Sequence, residues 1–256
     1  MTERLEGGSL TDVTRDDGRV LRATGPWSPA VHALLRHLER VGFDGCPRFL
    51  GWTDDGREVL SWVEGVSPGA RPWPDWVWQD DVLRATGRWL RGYHDAVRSF
   101  REPADARWRM CWAPQGDEEI ICHFDVAPRN LILQADGEIA IIDWDVAAPG
   151  TARADLAKAA NAFLDPRRVD GDARYVAARI DVLLNAYGDP ERASFVADMV
   201  DAARHSAARI RRGAADGDEA LRTLVGGGAA DGLERIGDRL EAEADAIRDQ
   251  LARKSA

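Results

Sequence analysis

The chain has 256 residues, of which 45% are hydrophobic and 30% charged, and its formal net charge is -10 at pH 7. That length suits a single two-lobed unit around a cleft better than two independent domains, and the acidic balance argues against a nucleic-acid partner, which needs a concentrated cationic surface. No apolar run approaches the roughly 20 residues that span a bilayer, so no membrane partner is expected. The segment Met1 to Glu6 lacks the basic stretch and apolar run of a secretory signal, so a cytoplasmic protein is expected. Cys46, Cys111 and Cys122 show no C-x-x-C spacing, which points to neither a disulfide framework nor a zinc site.

The first third reads as short strands joined by tight turns. Thr11 to Arg15 and Arg19 to Ala23 flank Asp16-Asp17-Gly18, a hairpin signal. Ser28-Pro29 then opens a helix whose apolar positions Val31, Leu34, Leu35 and Leu38 recur at helical spacing, with a stop near Gly42. A second hairpin is predicted from Arg48 to Thr53 and Arg57 to Val63 around Asp54-Asp55-Gly56. A stretch rich in Pro, Gly and Trp follows to Pro74 and marks the expected lobe boundary.

From Asp80 the pattern turns helical, with Val82, Leu83, Trp89, Leu90 and Tyr93 on one face. One exception interrupts it: Leu131 to Leu133 and Ile139 to Ile142 read as two strands around Ala135-Asp136-Gly137. Beyond Asp155 helices are expected to the end, broken at Asp165-Pro166, Gly188-Asp189-Pro190 and Gly226-Gly227-Gly228. The charged segment Gly232 to Arg253 reads as one helix, mostly solvated.

The loop His123-Phe124-Asp125-Val126-Ala127-Pro128-Arg129-Asn130 is an H-x-D-x-x-x-x-N sequence, followed after the hairpin by Ile142-Asp143-Trp144-Asp145. Phosphoryl transfer needs these residue types together. A carboxylate must align an acceptor hydroxyl and take its proton, a role for which Asp125 is placed. Magnesium prefers hard oxygen ligands, which the Asn130 amide and the Asp143 carboxylate supply. Gly7, Gly8 and Ser9 would let backbone N–H groups approach a triphosphate.

These paired motifs resemble the catalytic and metal-binding segments of the aminoglycoside phosphotransferases and the related choline and homoserine kinases. The likeness extends over Gly7-Gly8, Val20-Leu21-Arg22, the helix from Val31 to Leu38, and Val59 to Gly65. It implies an α+β, protein-kinase-like two-lobed fold: a small antiparallel β-sheet lobe with one helix over residues 1–65, hinged near 61–65, and a mainly α-helical lobe over 66–256. It further implies that Asp125 is the catalytic base, that His123 supports the loop, and that Asn130 and Asp143 hold Mg²⁺. Arg22 would be the strand cation on the phosphates, and Ser61, Trp62 and Val63 would bind adenine.

Asp145 either adjusts the metal or acceptor site or caps its loop, and Asp155 either caps a helix or braces the catalytic loop. Where the family's small-lobe helix offers a glutamate to the strand cation, Val31 and His32 stand instead, and Glu39 lies about two turns farther on. Asp165, Asp170 and Asp172 are positioned to complement an ammonium group. The expected activity is ATP-dependent phosphorylation, GTP remaining open, of a hydroxyl on a small cationic substrate such as an aminoglycoside. Choline, homoserine or a sugar are alternatives, as is a nucleotide-binding pseudokinase with a regulatory role. Oligomeric state is not set by the sequence.

Overall fold

The computed structural model of the chain describes residues 3–4, 13–110 and 119–255. Asp17 and Gly18 both take positive φ, 45° and 71°, and reverse the chain between β2 (Val13–Asp16) and β3 (Arg19–Arg22). Two left-handed residues match the twist of the strands they join. With β1 (Glu3–Arg4), β4 (Phe49–Trp52) and β5 (Glu58–Ser61) they form an antiparallel sheet in the order β1-β2-β3-β5-β4. Thr11, where the first long strand was expected to begin, lies outside the described residues.

Between β3 and β4 runs α1 (Ser28–Arg40), with Pro29 in its first turn and Val31, Leu34, Leu35 and Leu38 buried along one stripe. After β5 the chain crosses to the helical part through Gly65, whose φ is 145°. A Cβ there would stand 2.5 Å from the Leu133 carbonyl oxygen, so the crossing requires glycine. The next residue, Val66, forms a β-bridge with Leu133 and ties the crossing to the strand that follows the catalytic loop.

The helical part begins with α2 (Asp80–Val97), whose Val82, Leu83, Trp89, Leu90 and Tyr93 are all buried. The hairpin of β7 (Leu131–Leu133) and β8 (Ile139–Ile141) forms as expected. A second pair does not follow from the pattern: β6 (Ile120–Cys122) with β9 (Ala148–Gly150). An Ala-Pro-Gly strand lacks the β-branched and aromatic residues that mark strands, so only tertiary pairing selects it.

Six helices complete the chain: α3 (Ala152–Ala162), α4 (Ala173–Tyr187), α5 (Phe195–Ala215), α6 (Glu219–Gly226), α7 (Ala229–Ala242) and α8 (Ala244–Ser255). Among the described residues no helix is long and apolar enough to cross a membrane.

The expected single solvated helix over Gly232 to Arg253 is corrected on two counts. The segment breaks at Glu243 into α7 and α8, and Leu240, Ala244, Ile247 and Leu251 are buried. Their spacing of four, three and four residues makes a narrow apolar stripe that the surrounding charge conceals. Ile247→Ala is therefore expected to cost about 2 to 5 kcal/mol of stability, while Asp249→Asn on the exposed face stays within about 0.5 kcal/mol; urea unfolding of the two variants checks the contrast.

Candidate active site

The loop from His123 to Asn130 leaves β6 and closes in a single 3₁₀ turn at Pro128–Asn130 before β7. The Asp125 N–H donates to His123 Nδ1 at 3.1 Å, which leaves that nitrogen without a proton. Burial likewise lowers the His123 pKa, so the imidazole is neutral. The Asn130 amide donates to the Asp125 carbonyl at 2.9 Å and to its Oδ2 at 2.7 Å, while Arg129 donates to Oδ1. Burial alone would raise the Asp125 pKa. The charges of Arg129 and Lys158 and the Asn130 bond outweigh it, and Asp125 is held below the usual carboxylate value as an anion able to accept a proton.

The loop's backbone is fixed from beneath by Asp155. Its two oxygens accept the N–H groups of His123 at 2.9 Å and Phe124 at 2.8 Å, and His94 of α2 lies 3.2 Å from Oδ2. Tyr187 of α4 completes the chain of contacts at 2.9 Å from His94 Nδ1. Phe124 needs such support, because it takes a left-handed φ of 56°, a conformation that costs a side-chain-bearing residue about 1 to 3 kcal/mol. The helix-capping alternative for Asp155 is set aside: Thr151 caps α3 by accepting from Ala154, and Asp155 is the brace.

Asp143 sits just past β8, also with a left-handed φ, 63°. Its neighbour Trp144 anchors the turn, buried at 1% exposure with its indole donating to the Ile141 carbonyl at 3.0 Å. Burial raises the Asp143 pKa, Arg22 opposes that, and the nearby carboxylates Asp145 and Asp125 add to it. Crowded carboxylates with an amide oxygen suit a hard divalent cation. Among the described residues no cluster of three or more His, Cys, Asp or Glu is arranged to hold a metal alone. The donor set of Asn130 and Asp143 fits Mg²⁺ that takes its remaining ligands from phosphate and water.

Arg22 links this centre to the sheet. Its Nε donates to Glu58 of β5, Nη2 donates to Asp145, and Nη1 lies 3.3 Å from Asp143 Oδ1. Burial works against its charge, but Asp145, Asp143 and Glu58 hold its pKa above the ordinary value. Glu58 is 1% exposed and its other oxygen meets His32 Nε2; His32 in turn stacks on Phe49 with ring centroids 3.7 Å apart. The partner expected from the small-lobe helix is thus supplied by the neighbouring strand, with a helix histidine behind it. Sequence reasoning missed Glu58 because it searched α1, although register places Glu58 directly opposite Arg22. Asp145 is held between Arg22 and Arg109, whose Nη1 lies 3.8 Å away and whose guanidinium makes a two-bond pair with Asp218 at 2.9 and 3.0 Å.

Ser61 and Trp62 spend their N–H groups inside the sheet region, on the carbonyls of Arg48 at 2.8 Å and Gly18 at 2.9 Å. The Trp62 ring is covered by Arg15, whose guanidinium carbon lies 3.9 Å from the ring centroid. Val63 is the first of the three whose N–H makes no hydrogen bond to a described residue. Gly8 and Ser9 lie outside the described residues. The three acids expected to meet an ammonium group are engaged elsewhere. Asp165 is paired with Arg167, Asp170 lies 3.2 Å from Arg239, and Asp172 caps α4 through the Tyr175 N–H at 2.8 Å.

A two-lobed α+β architecture carrying a braced H-x-D loop and an aspartate turn at one cleft defines a kinase-like phosphotransferase. The chain belongs to the phosphotransferase enzyme family, which matches residues 2–212. Among curated proteins it is 35% identical over 228 residues to the trifolitoxin immunity protein of Rhizobium leguminosarum bv. trifolii, covering 82% of this chain and 84% of that one. Similar solved structures include a choline/ethanolamine kinase family protein from Mesorhizobium loti, at TM-score 0.62 and 16% identity, covering 97% of this chain and 92% of that one. A microcompartment-associated aminopropanol kinase matches at TM-score 0.59 and 13% identity, over 97% and 93% of the two chains. At these identities the solved structures establish the fold, and the family establishes a phosphotransferase with a hydroxyl acceptor.

Removing Glu58 strands Arg22 and His32 in the interior, so Glu58→Ala is expected to lose about 3 to 5 kcal/mol of stability near neutral pH. Burial favours the protonated acid, yet the His32 bond and the Arg22 charge bring the Glu58 pKa below its ordinary 4.5. A depressed folded pKa gives stabilisation that is complete above the unfolded value and lost as pH falls through the folded one. The stability gap between wild type and Glu58→Ala should therefore shrink as pH drops below 4.5, which denaturant titration across pH measures.

Proposed function

We propose that this chain is a nucleotide-dependent small-molecule kinase in which Asp125 aligns the acceptor hydroxyl and takes its proton. The hydroxyl oxygen forms a bond to the γ-phosphorus, the bond from that phosphorus to the bridging oxygen breaks, and the nucleoside diphosphate leaves. Asn130 and Asp143 hold Mg²⁺, which when bound neutralises charge on the phosphate oxygens. Arg22 reaches the α- and β-phosphates, exchanging its long 3.3 Å contact with Asp143 for a phosphate oxygen while Glu58 keeps its other edge in place. The Val63 backbone binds the purine edge, with Ser61 and Trp62 shaping the hinge, and ATP is the assigned donor with GTP as the competitor in the assay. His123 and Asp155 act on the loop's backbone and not on substrate.

The observation that best supports this reading is the bond from the Asn130 amide to Asp125 at 2.7 Å, with the Asp125 charge contributing to the raised pKa of Asp143. The replacement of the expected helix glutamate by Glu58 favours an active enzyme over a nucleotide-binding pseudokinase, since Arg22 is oriented all the same. By analogy with the trifolitoxin immunity protein, the biological role assigned is inactivation of a toxic or antibiotic compound by phosphorylation. The cationic acceptor suggested by net charge has no support from Asp165, Asp170 or Asp172, all of which are engaged.

Mg²⁺ and ATP together should raise the melting temperature, and an acceptor panel should then release ADP. Asp125→Asn is expected to cut turnover by about 10² to 10⁴ while the ATP-induced thermal shift remains. Near-normal turnover in that variant would remove Asp125 from the base role.

A further inference from the structure

Arg109, between α2 and β6, has a side chain only 8% exposed and partners from distant parts of the chain. Its Nε and Nη2 donate to the two oxygens of Asp218 at 2.9 and 3.0 Å. Its Nη1 stands 3.8 Å from Asp145 Oδ2, and its guanidinium carbon lies 4.3 Å from the centroid of the Trp27 ring. Each partner stands where another element starts or ends. Asp218 caps α6 by accepting the Leu221 N–H at 3.1 Å, the Trp27 carbonyl accepts the Ala30 and Val31 N–H groups at the start of α1, and Asp145 belongs to the turn after β8. The bonds from Arg109 hold the Asp218 carboxyl below its ordinary pKa, with burial opposing.

Asp145 is thereby shared between two guanidinium groups. Arg22 Nη2 bonds its Oδ1 while Arg109 faces its Oδ2, so each oxygen has its own cation. The contacts close a circuit: Arg22 to Glu58, Glu58 to His32 of α1, the start of α1 at Trp27 to Arg109, and Arg109 through Asp145 back to Arg22. The carboxylates facing Arg22 are Glu58, Asp143 and Asp145, and those facing Arg109 are Asp145 and Asp218. Once Arg22 exchanges its 3.3 Å contact with Asp143 for a phosphate oxygen, Asp145 is its remaining link to the turn. A carboxylate held by one oxygen can swing together with the arginine that it holds, whereas one held by both keeps its direction.

Resting on the kinase reading above, we propose that Arg109 is a positioning residue for the nucleotide: it fixes Asp145 by its second oxygen, so that Arg22 presents Nη1 to the α- and β-phosphates in one direction. Arg109 acts through Asp145 and Arg22, and its own direction is set by Asp218 and Trp27. The two-bond pair with Asp218 fixes the guanidinium plane, the Trp27 ring supports its face, and Nη1 is left directed at Asp145. A lysine could not make two parallel bonds to Asp218 and still face Asp145. α6, which packs against α5 and α7, thus contributes to nucleotide affinity through its capping residue.

Titration calorimetry with ATP in the presence of Mg²⁺ tests the assignment, with ADP release at saturating ATP as the second readout. Arg109→Met should weaken ATP binding about tenfold, through loss of the charged partner of Asp145. ADP release at saturating ATP should change by less than about threefold, because Asp125 lies on another loop. Arg109→Lys should resemble Arg109→Met. Asp218→Asn serves if Arg109→Met does not fold: asparagine caps a helix as well as aspartate does but lacks the charge that orients Arg109, so ATP binding should weaken about threefold or more. On an Asp145→Asn background, Arg109→Met should add little, since its partner is already neutral. Arg211→Met, which removes an exposed pair with Asp231 and Glu234 between α5 and α7, should bind ATP as wild type does. A folded Arg109→Met protein that binds ATP within about twofold of wild type, or whose full loss persists on the Asp145→Asn background, would overturn the proposal. A wild-type protein that does not bind ATP removes the kinase reading and this proposal with it, whereas a wild type that binds ATP no better than its Arg109 and Asp218 variants removes the proposal alone.

Discussion

The geometry of the site depends on one buried carboxylate. Asp155, 1% exposed, has its charge satisfied by two backbone N–H groups from consecutive loop residues and by His94. Burial penalises its ionised form, but these donors more than compensate and hold its pKa below the usual value. Because the accepted N–H groups belong to His123 and Phe124, the brace sets the loop's path directly, including the left-handed turn at Phe124. Everything Asp125 can do follows from where that backbone is held. The same carboxylate joins α2, α3 and the catalytic loop, so packing of the helical part is transmitted to the site through hydrogen bonds with little freedom.

A second constraint works across the cleft. Arg22 on β3 touches Glu58 on β5 and both aspartates of the Asp143-Trp144-Asp145 turn. Its Nε and two Nη groups point at three different carboxylates, a division that the guanidinium fork permits and an ammonium could not reproduce with fixed directions. The sheet is thereby registered against the turn that carries the proposed metal ligand. His32 closes the arrangement from α1, wedged between Phe49 and Trp52 with ring centroids 3.7 and 4.8 Å away. The usual demand that a helix carboxylate orient the strand cation is met here by a different element, which shows that the physical requirement is a desolvated anion beside the guanidinium and not a particular helix position.

Family membership establishes phosphoryl transfer to a hydroxyl, whereas the acceptor is decided by the few side chains around the base. Similar architectures carry a choline/ethanolamine kinase family protein and an aminopropanol kinase at 16% and 13% identity. At that distance the lining of the acceptor side is free to differ.

Much was legible in the sequence. The hairpin turns, the stripe of α1, the β7–β8 hairpin and the ordered pair of H-x-D and I-D-W-D motifs all have local causes: glycine at positive φ, apolar spacing, and residue chemistry at short separation. The sequence by itself therefore determined the fold class and which residues are candidates for chemistry. Tertiary structure alone decided the rest. The β6–β9 pairing joins strands without strand composition, Glu58 finds Arg22 across 36 positions, and Asp155 finds the catalytic loop across 32. The stripe through Leu240, Ile247 and Leu251 becomes core only because other helices cover it. The charges acting on Asp125 likewise come from the loop and α3 together, and separations of that length leave no periodic or local trace, since it is the folded chain that brings such groups within reach of one another.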